Sequence, residues 1–299
     1  MRVLARAVAI AFALGLGAAA GTLAHGQSSW RKVPAKDLLL IQTRYGQVAI
    51  ELLPAFAPLH VDRVRALTAA HFYDGLSFYR VIDGFVAQGG IGEGTAATRD
   101  HPKSAKLLSR WPPLKAEFDT PIAAIHAPFV PTGSPDLYAP EVGWVRGFPV
   151  GRDPRTGRQW ILNCPGTFAF ARNNAPNSAT TEFYIVIGEA PRRLDRNLSA
   201  FGRVIAGMKY LQKLHRGDPT VDHGVIADRA KRDPIVWMRM ASQLPASKRP
   251  HYEVLRDTSK AFARWKAAGI NPAPQFYVHQ PRPILDVCLS PVPARRLKS

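Results

Sequence analysis

Residues 78–90 read FYRVIDGFVAQGG, and two of them carry chemistry in apolar company. Arg80 stands among Phe78, Val81, Ile82, Phe85 and Val86, and Gln88 closes the run ahead of Gly89 and Gly90. A guanidinium keeps its charge at any physiological pH and offers a rigid fork of N–H donors. Such a group suits a reaction that needs a fixed donor beside developing electron density. The plainer reading is an arginine lying over an apolar surface with its charged end in water. Strand side chains alternate between faces, which sets Phe78, Arg80 and Ile82 on one side and Tyr79 and Val81 on the other.

Other chemistries fail on their own motifs. The glycines of GGIGEG, from Gly89, neither follow a βαβ pattern nor open a helix of the kind a dinucleotide loop needs. The nine histidines lack metal-ligand spacing, neither cysteine has the marks of a nucleophile, and G-x-S-x-G is absent. No cofactor and no metal is expected.

The elements around Arg80 follow from local pattern. The run from Leu38 to Pro54 contains two β-rich stretches about Tyr45-Gly46, a hairpin signal. Pro58 suits a first helical turn, and Val61, Val64 and Leu67 recur on one helical face. Residues 77–88 make the strand pair that carries Arg80. GTFAFA, TEFYIVIG and SAFGRVIAGMKYLQKLH read as strand, strand, and strand feeding a helix, with Val204, Met208 and Leu211 on the helix's buried face. PIVWMRM reads as a closing strand. Between about 91 and 163, glycine, proline and basic residues dominate, which predicts long surface loops with a hairpin near 154–157. Residues 244–299 form a C-terminal extension. It has a helix N-cap signal at Asp257 or Thr258 and a stop at Gly269. Its Phe262, Trp265, Phe276, Tyr277, Ile284 and Leu285 are expected to pack on the main domain.

The chain has 299 residues, 46% hydrophobic and 21% charged, enough for a large core and too apolar for wholesale disorder. Its net charge of +18 is dispersed along the sequence. Dispersed charge argues against nucleic acid as partner and is compatible with weak association with an anionic membrane surface. Arg2 and Arg6 precede an apolar run and then small residues, the order of a secretory signal peptide over 1–26, with cleavage after Ala24 or Gly26. The competing reading is an uncleaved anchor. A periplasmic or secreted protein is expected, and in that oxidising setting Cys164 and Cys288 invite a disulfide, against the alternative of two separate buried thiols.

From Leu38 onward the chain resembles the cyclophilin family of peptidyl-prolyl isomerases. The likeness runs through GQVAIELLPAFAPLHVDRVRAL, FYDGLSFYRVIDGFVAQGG, GTFAFARNNAPNSATTEFYIVIG and RLDRNLSAFGRVIAGM, in that order. It implies a mainly β fold over 34–243, a closed eight-stranded antiparallel barrel capped by two helices, with the loop insertion and the C-terminal extension added to it. It implies action on proline-containing polypeptides, here X-Pro bonds of exported proteins, to assist folding; a monomer is expected. A non-catalytic peptide-binding chaperone or scaffold on the same barrel is the alternative.

The resemblance also assigns roles. Arg80 would be the catalytic donor. Phe85, Val86, Tyr184 and Leu194 would wall a slot for the proline ring. Gln88 would hold the arginine or the peptide backbone, and Asn173 or Asn174 lies on the loop that binds that backbone. The chain departs from the family at Glu182, usually glutamine; at Tyr184, usually phenylalanine; at Arg193, usually tryptophan or another aromatic; at Leu198, usually histidine; and at Asp83, usually proline. Glu182 and Leu198 remain in the expected binding set. A carboxylate at 182 would either orient Arg80 or neutralise it. The loss of the aromatic at 193 predicts weak cyclosporin binding.

Overall fold

A computed structural model describes residues 28–92, 109–271 and 274–297. The leader pattern of residues 1–26 lies outside the described residues. In chain order the strands begin with β1 (Trp30–Lys32), β2 (Leu38–Thr43) and β3 (Gly46–Leu52). After helix α1 (Pro58–Ala69) come β4 (Ser77–Val81) and β5 (Val86–Gly90). The next five are β6 (Thr120–Pro121), β7 (Phe129–Pro131), β8 (Glu141–Val145), β9 (Phe148–Asp153) and β10 (Arg158–Ile161). Then follow β11 (Thr167–Phe170), β12 (Phe183–Val186), β13 (Ala200–Ala206), the short helix α2 (Met208–Leu211) and β14 (Asp233–Met240). The chain ends with β15 (Tyr252–Leu255), helix α3 (Lys260–Ile270) and β16 (Ala294–Arg296).

Eight of these strands close an antiparallel barrel in the order β11-β12-β5-β4-β14-β2-β3-β13, as expected. Closure leaves no unpaired sheet edge in the barrel wall. Inward residues, among them Ile41, Ile50, Phe78, Phe168, Phe183 and Phe201, form one apolar core. α1 joins that core through Val61, Val64 and Leu67, and α2 through Leu211. Val204 belongs to β13 rather than to a helix, because the strand runs on to Ala206 before Gly207 turns the chain at φ 90°.

The interval 91–163 is not a set of loops. Its described part contains a five-stranded antiparallel sheet, β6-β10-β9-β8-β7. The turn joining β9 to β10 lies at 154–157, as expected, and Arg146-Gly147, both at positive φ, joins β8 to β9. One side of this sheet packs on the barrel's outer wall: Phe148, Val150 and Ile161 meet Val86, Tyr184 and Val186. Its other side meets the C-terminal extension, where Trp144 sits edge-on to Phe262 and Trp265 at ring-centroid distances of 5.3 and 5.6 Å.

The extension adds a three-stranded sheet, β1-β15-β16. Cys164 and Cys288 form a disulfide that ties the extension to the segment entering β11. Phe262 and Leu285 are buried and Trp265 is half-buried, but Phe276 is 83% exposed and Tyr277 and Ile284 are also exposed. Prolines around these three break the backbone regularity that would let them reach the core. The N-cap of α3 is Ser259, whose Oγ accepts from Phe262 N at 3.1 Å. Asp257 instead caps the Arg146-Gly147 turn by accepting from Gly147 N. Gly269 lies within the last turn of α3.

Candidate active site

Arg80 reaches its position through a bulge. Ser77 and Phe78 pair in register with Gly90 and Gly89, and the register then shifts so that Arg80 faces Gln88. The extra residue is Tyr79. Strict alternation would have kept Arg80 on the face of Phe78. Instead Phe78 and Val81 both point into the barrel core, while Tyr79 and Arg80 are left outside it. Bulges commonly re-aim a side chain in this way.

Beyond Phe78, β4 loses β14 as a partner, and residues 217–226 take its place. Gly217 N donates to Val81 O at 2.7 Å and Ile226 N to Tyr79 O at 2.8 Å. This loop carries three consecutive residues at positive φ: Asp222 (44°), His223 (53°) and Gly224 (87°). The conformation turns the His223 carbonyl towards Arg80, which donates to it from Nε at 2.7 Å.

Across the pair, Arg80 Nη1 donates to Gln88 Oε1 at 3.1 Å. Gln88 Nε2 donates to the Tyr79 hydroxyl at 2.5 Å. Burial first, and the neighbouring Glu182 carboxylate second, push that hydroxyl well above the ordinary phenol value, so it keeps its proton. Glu182 accepts from Ile91 N and Gly92 N at 3.0 and 3.2 Å. Both bonds in the chain Arg80–Gln88–Tyr79 point the same way. Two neutral groups thus stand between the carboxylate and the guanidinium, and Arg80 forms no ion pair among the described residues. Burial draws Arg80 below the ordinary guanidinium value, yet a guanidinium remains protonated near neutrality. Gly90, at φ 143°, is what admits this arrangement: a Cβ there would strike the Glu182 carboxylate.

Arg80 lines a cavity of about 180 Å³ beside these groups. About 150 Å³ suffices to hold a benzene-sized ring. Phe85, Val86, Tyr184, Leu194 and Leu198 supply its apolar walls, and Gln88, Ala171 and Arg172 complete it. Tyr184 turns its hydroxyl away, donating to Asn163 Oδ1 at 2.7 Å, so the ring presents an apolar floor. Asn163 in turn donates to Asp195 Oδ1 from its backbone N and from Nδ2, at 2.8 and 3.1 Å. Asp195 adjoins Leu194 and pairs with Arg192. Floor and wall are thus fastened to one asparagine.

Asn173 and Glu182 line a smaller recess that shares Gln88, Ala171 and Arg172 with the cavity. Asn174 is exposed and lines neither. The carbonyls of Asn173 and Asn174 both accept from Arg172 Nη1, at 2.7 and 3.0 Å. Arg193 is exposed. Asp83, on the β4–β5 turn, accepts from Arg216 Nε at 3.0 Å. Sequence reasoning missed Tyr79, Asn163, Arg172 and His223. Only the adjacency of Tyr79 to Arg80 and of Arg172 to Asn173 hinted at two of them.

Comparison with known proteins gives the family and the fold. The family described as "Cyclophilin type peptidyl-prolyl cis-trans isomerase/CLD" matches residues 38–237. A probable peptidyl-prolyl cis-trans isomerase of Brucella suis is 28% identical over 188 residues, which cover 61% of this chain and 73% of that protein. A peptidyl-prolyl cis-trans isomerase of Acinetobacter baylyi is 25% identical over 195 residues, covering 64% and 78%. The crystal structure of cyclophilin AquaCyp293 from Hirschia baltica is 26% identical, with a TM-score of 0.70 over 90% of this chain and 94% of that one. That structural likeness takes in the added sheet and the extension as well as the barrel. With more than half of its length matched to the family, a closed barrel of the family's kind and Arg80 beside a ring-sized apolar cavity, the chain belongs to the cyclophilin-type peptidyl-prolyl cis-trans isomerases.

Proposed function

We propose that Arg80 catalyses rotation about X-Pro bonds of exported polypeptides and so assists their folding. Rotation is slow because the imide nitrogen shares its lone pair with the carbonyl, giving a barrier of about 18–20 kcal/mol and exchange over tens to hundreds of seconds. At the half-turned state that nitrogen becomes pyramidal and basic. Arg80 is held from Nε and Nη1 by neutral acceptors, which leaves Nη2 unpartnered among the described residues. Nη2 donates to the pyramidal nitrogen while the ring sits against Phe85, Val86, Tyr184 and Leu194. The bond is stronger in the twisted state than in either planar one, which is the condition for acceleration. No proton is exchanged and no covalent bond forms.

The observation that carries this reading is a guanidinium fixed by neutral groups at the wall of a cavity of proline size, with no carboxylate among that cavity's lining residues. Export is supported by the leader pattern in the sequence and by the Cys164–Cys288 bridge, since such bridges persist in oxidising compartments. The test is cis–trans exchange of prolyl peptides by NMR with the full chain, beside peptide affinity and cell fractionation. Catalysed exchange is expected, in the exported fraction. Peptide binding without acceleration would instead mark a scaffold.

A further inference from the structure

The cavity holds a second guanidinium. Arg172 lines it opposite no acid, and its restraint repeats that of Arg80. Arg172 donates from Nε to Asn197 O at 2.8 Å and from Nη1 to the carbonyls of Asn173 and Asn174. Its Nη2 has no partner among the described residues. Neutral carbonyls fix a guanidinium without cancelling its charge, so both cations face the cavity at full strength. Arg193, on the same short segment as the Leu194 wall, is exposed and its side chain has no partner among the described residues.

Among the described residues, four acids around the cavity are engaged. Glu182, in the adjoining recess, receives Ile91 N and Gly92 N. Asp195 lies behind Leu194 with Arg192 and Asn163. Asp119 is shared by Arg158 and Arg196, and Asp83 meets Arg216. A proline seated beside Arg80 thus shares the cavity with Arg172, and no carboxylate is among the lining residues of that cavity.

We infer that this site prefers prolyl peptides with an acidic side chain flanking the proline, and that Arg172 is the residue that sets the preference. The inference rests on the isomerase reading above. A carboxylate in reach of Arg172 gains charge-assisted hydrogen bonds, whereas a lysine there meets two like charges.

The experiment uses peptides with Ala, Glu or Lys immediately before the proline, and a matched set with the same residues immediately after it. Exchange and binding are both read by NMR, at low salt and at 0.5 M salt. In one of the two sets, Glu should exceed Ala by about three- to tenfold in kcat/KM, with Lys below Ala. The ratio should shrink towards one at high salt and in Arg172→Gln. Equal values for Ala, Glu and Lys in both sets, or a preference for Lys, overturn the inference while leaving the isomerase reading intact. A preference that survives unchanged in Arg172→Gln overturns the role of Arg172. Absence of exchange with every peptide strikes the isomerase reading instead, and the binding series then still decides the preference.

Discussion

Gln88 stands directly opposite Arg80 across the β4–β5 pair, and its two amide ends do different work. Oε1 accepts from Arg80, and Nε2 donates to Tyr79. The amide holds this orientation because Oε1 faces a guanidinium, which can only donate.

Tyr79→Phe breaks that polarity without touching the cavity walls. Gln88 loses its anchor and is free to flip its amide, presenting donors to a donor. Removing one such bond is expected to lower kcat by about 1–2 kcal/mol of transition-state stabilisation, roughly five- to thirtyfold, with KM nearly unchanged. Steady-state exchange kinetics check this. An unchanged kcat with a raised KM would mean that the relay only shapes binding.

Gly90→Ala tests the backbone on which the relay rests. At φ 143° a Cβ is strained, and here it also meets the Glu182 carboxylate. A loss of roughly 2–4 kcal/mol in unfolding free energy is expected, read by denaturant titration, together with reduced turnover in the remaining folded protein.

The disulfide is expected to stabilise the whole assembly, since it closes a loop of 124 residues. Cys164→Ser should cost about 2–5 kcal/mol. Intact mass after alkylation, with and without reductant, reports whether the thiols are bonded. Because Cys164 follows Asn163, which fastens Tyr184 and Asp195, peptide affinity should weaken along with stability.

Two pH responses follow. Arg80 does not titrate near neutrality, and His223 contributes only its carbonyl, so kcat/KM should be flat from about pH 6 to 9. A bell-shaped profile centred near 7 would point to a proton-transfer group instead. At lower pH, stability should change through Asp136. Burial pushes its carboxyl up, but hydrogen bonds from Arg192 and from backbone amides outweigh this and leave it below the ordinary value. Its contribution is therefore complete above the unfolded carboxyl value of about 3.9 and is lost as pH falls through the lower folded value. Asp195, raised mainly by burial, works in the opposite sense. Asp136→Asn should flatten the acid limb of the stability curve measured by thermal unfolding between about pH 5 and 2.

The barrel strands and α1 were legible because each pairs an apolar inner face with punctuation by glycine or proline, whereas the cavity walls Phe85, Val86, Tyr184 and Leu194 could be named only through the resemblance to the family. The added sheet was not. β8 and β10 are buried on both sides, by the barrel and by the extension, so neither shows the alternation that marks a strand. Tyr79 could not be placed beside Arg80 from a period of two, because the bulge breaks that period at Tyr79 itself. The His223 carbonyl is a backbone atom more than a hundred residues away and leaves no signature in residue type. Glu182 reads in two opposite ways from the sequence, which carries no sign that Gln88 and Tyr79 stand between it and Arg80.

The most direct test of the central claim compares wild type with Arg80→Ala and Arg80→Lys, measuring catalysed exchange and peptide affinity on the same samples. If Arg80 stabilises the half-turned bond, kcat should fall about 10²- to 10³-fold in Arg80→Ala, with partial recovery at most in Arg80→Lys and affinity changed far less. Exchange in Arg80→Ala within twofold of wild type would contradict it.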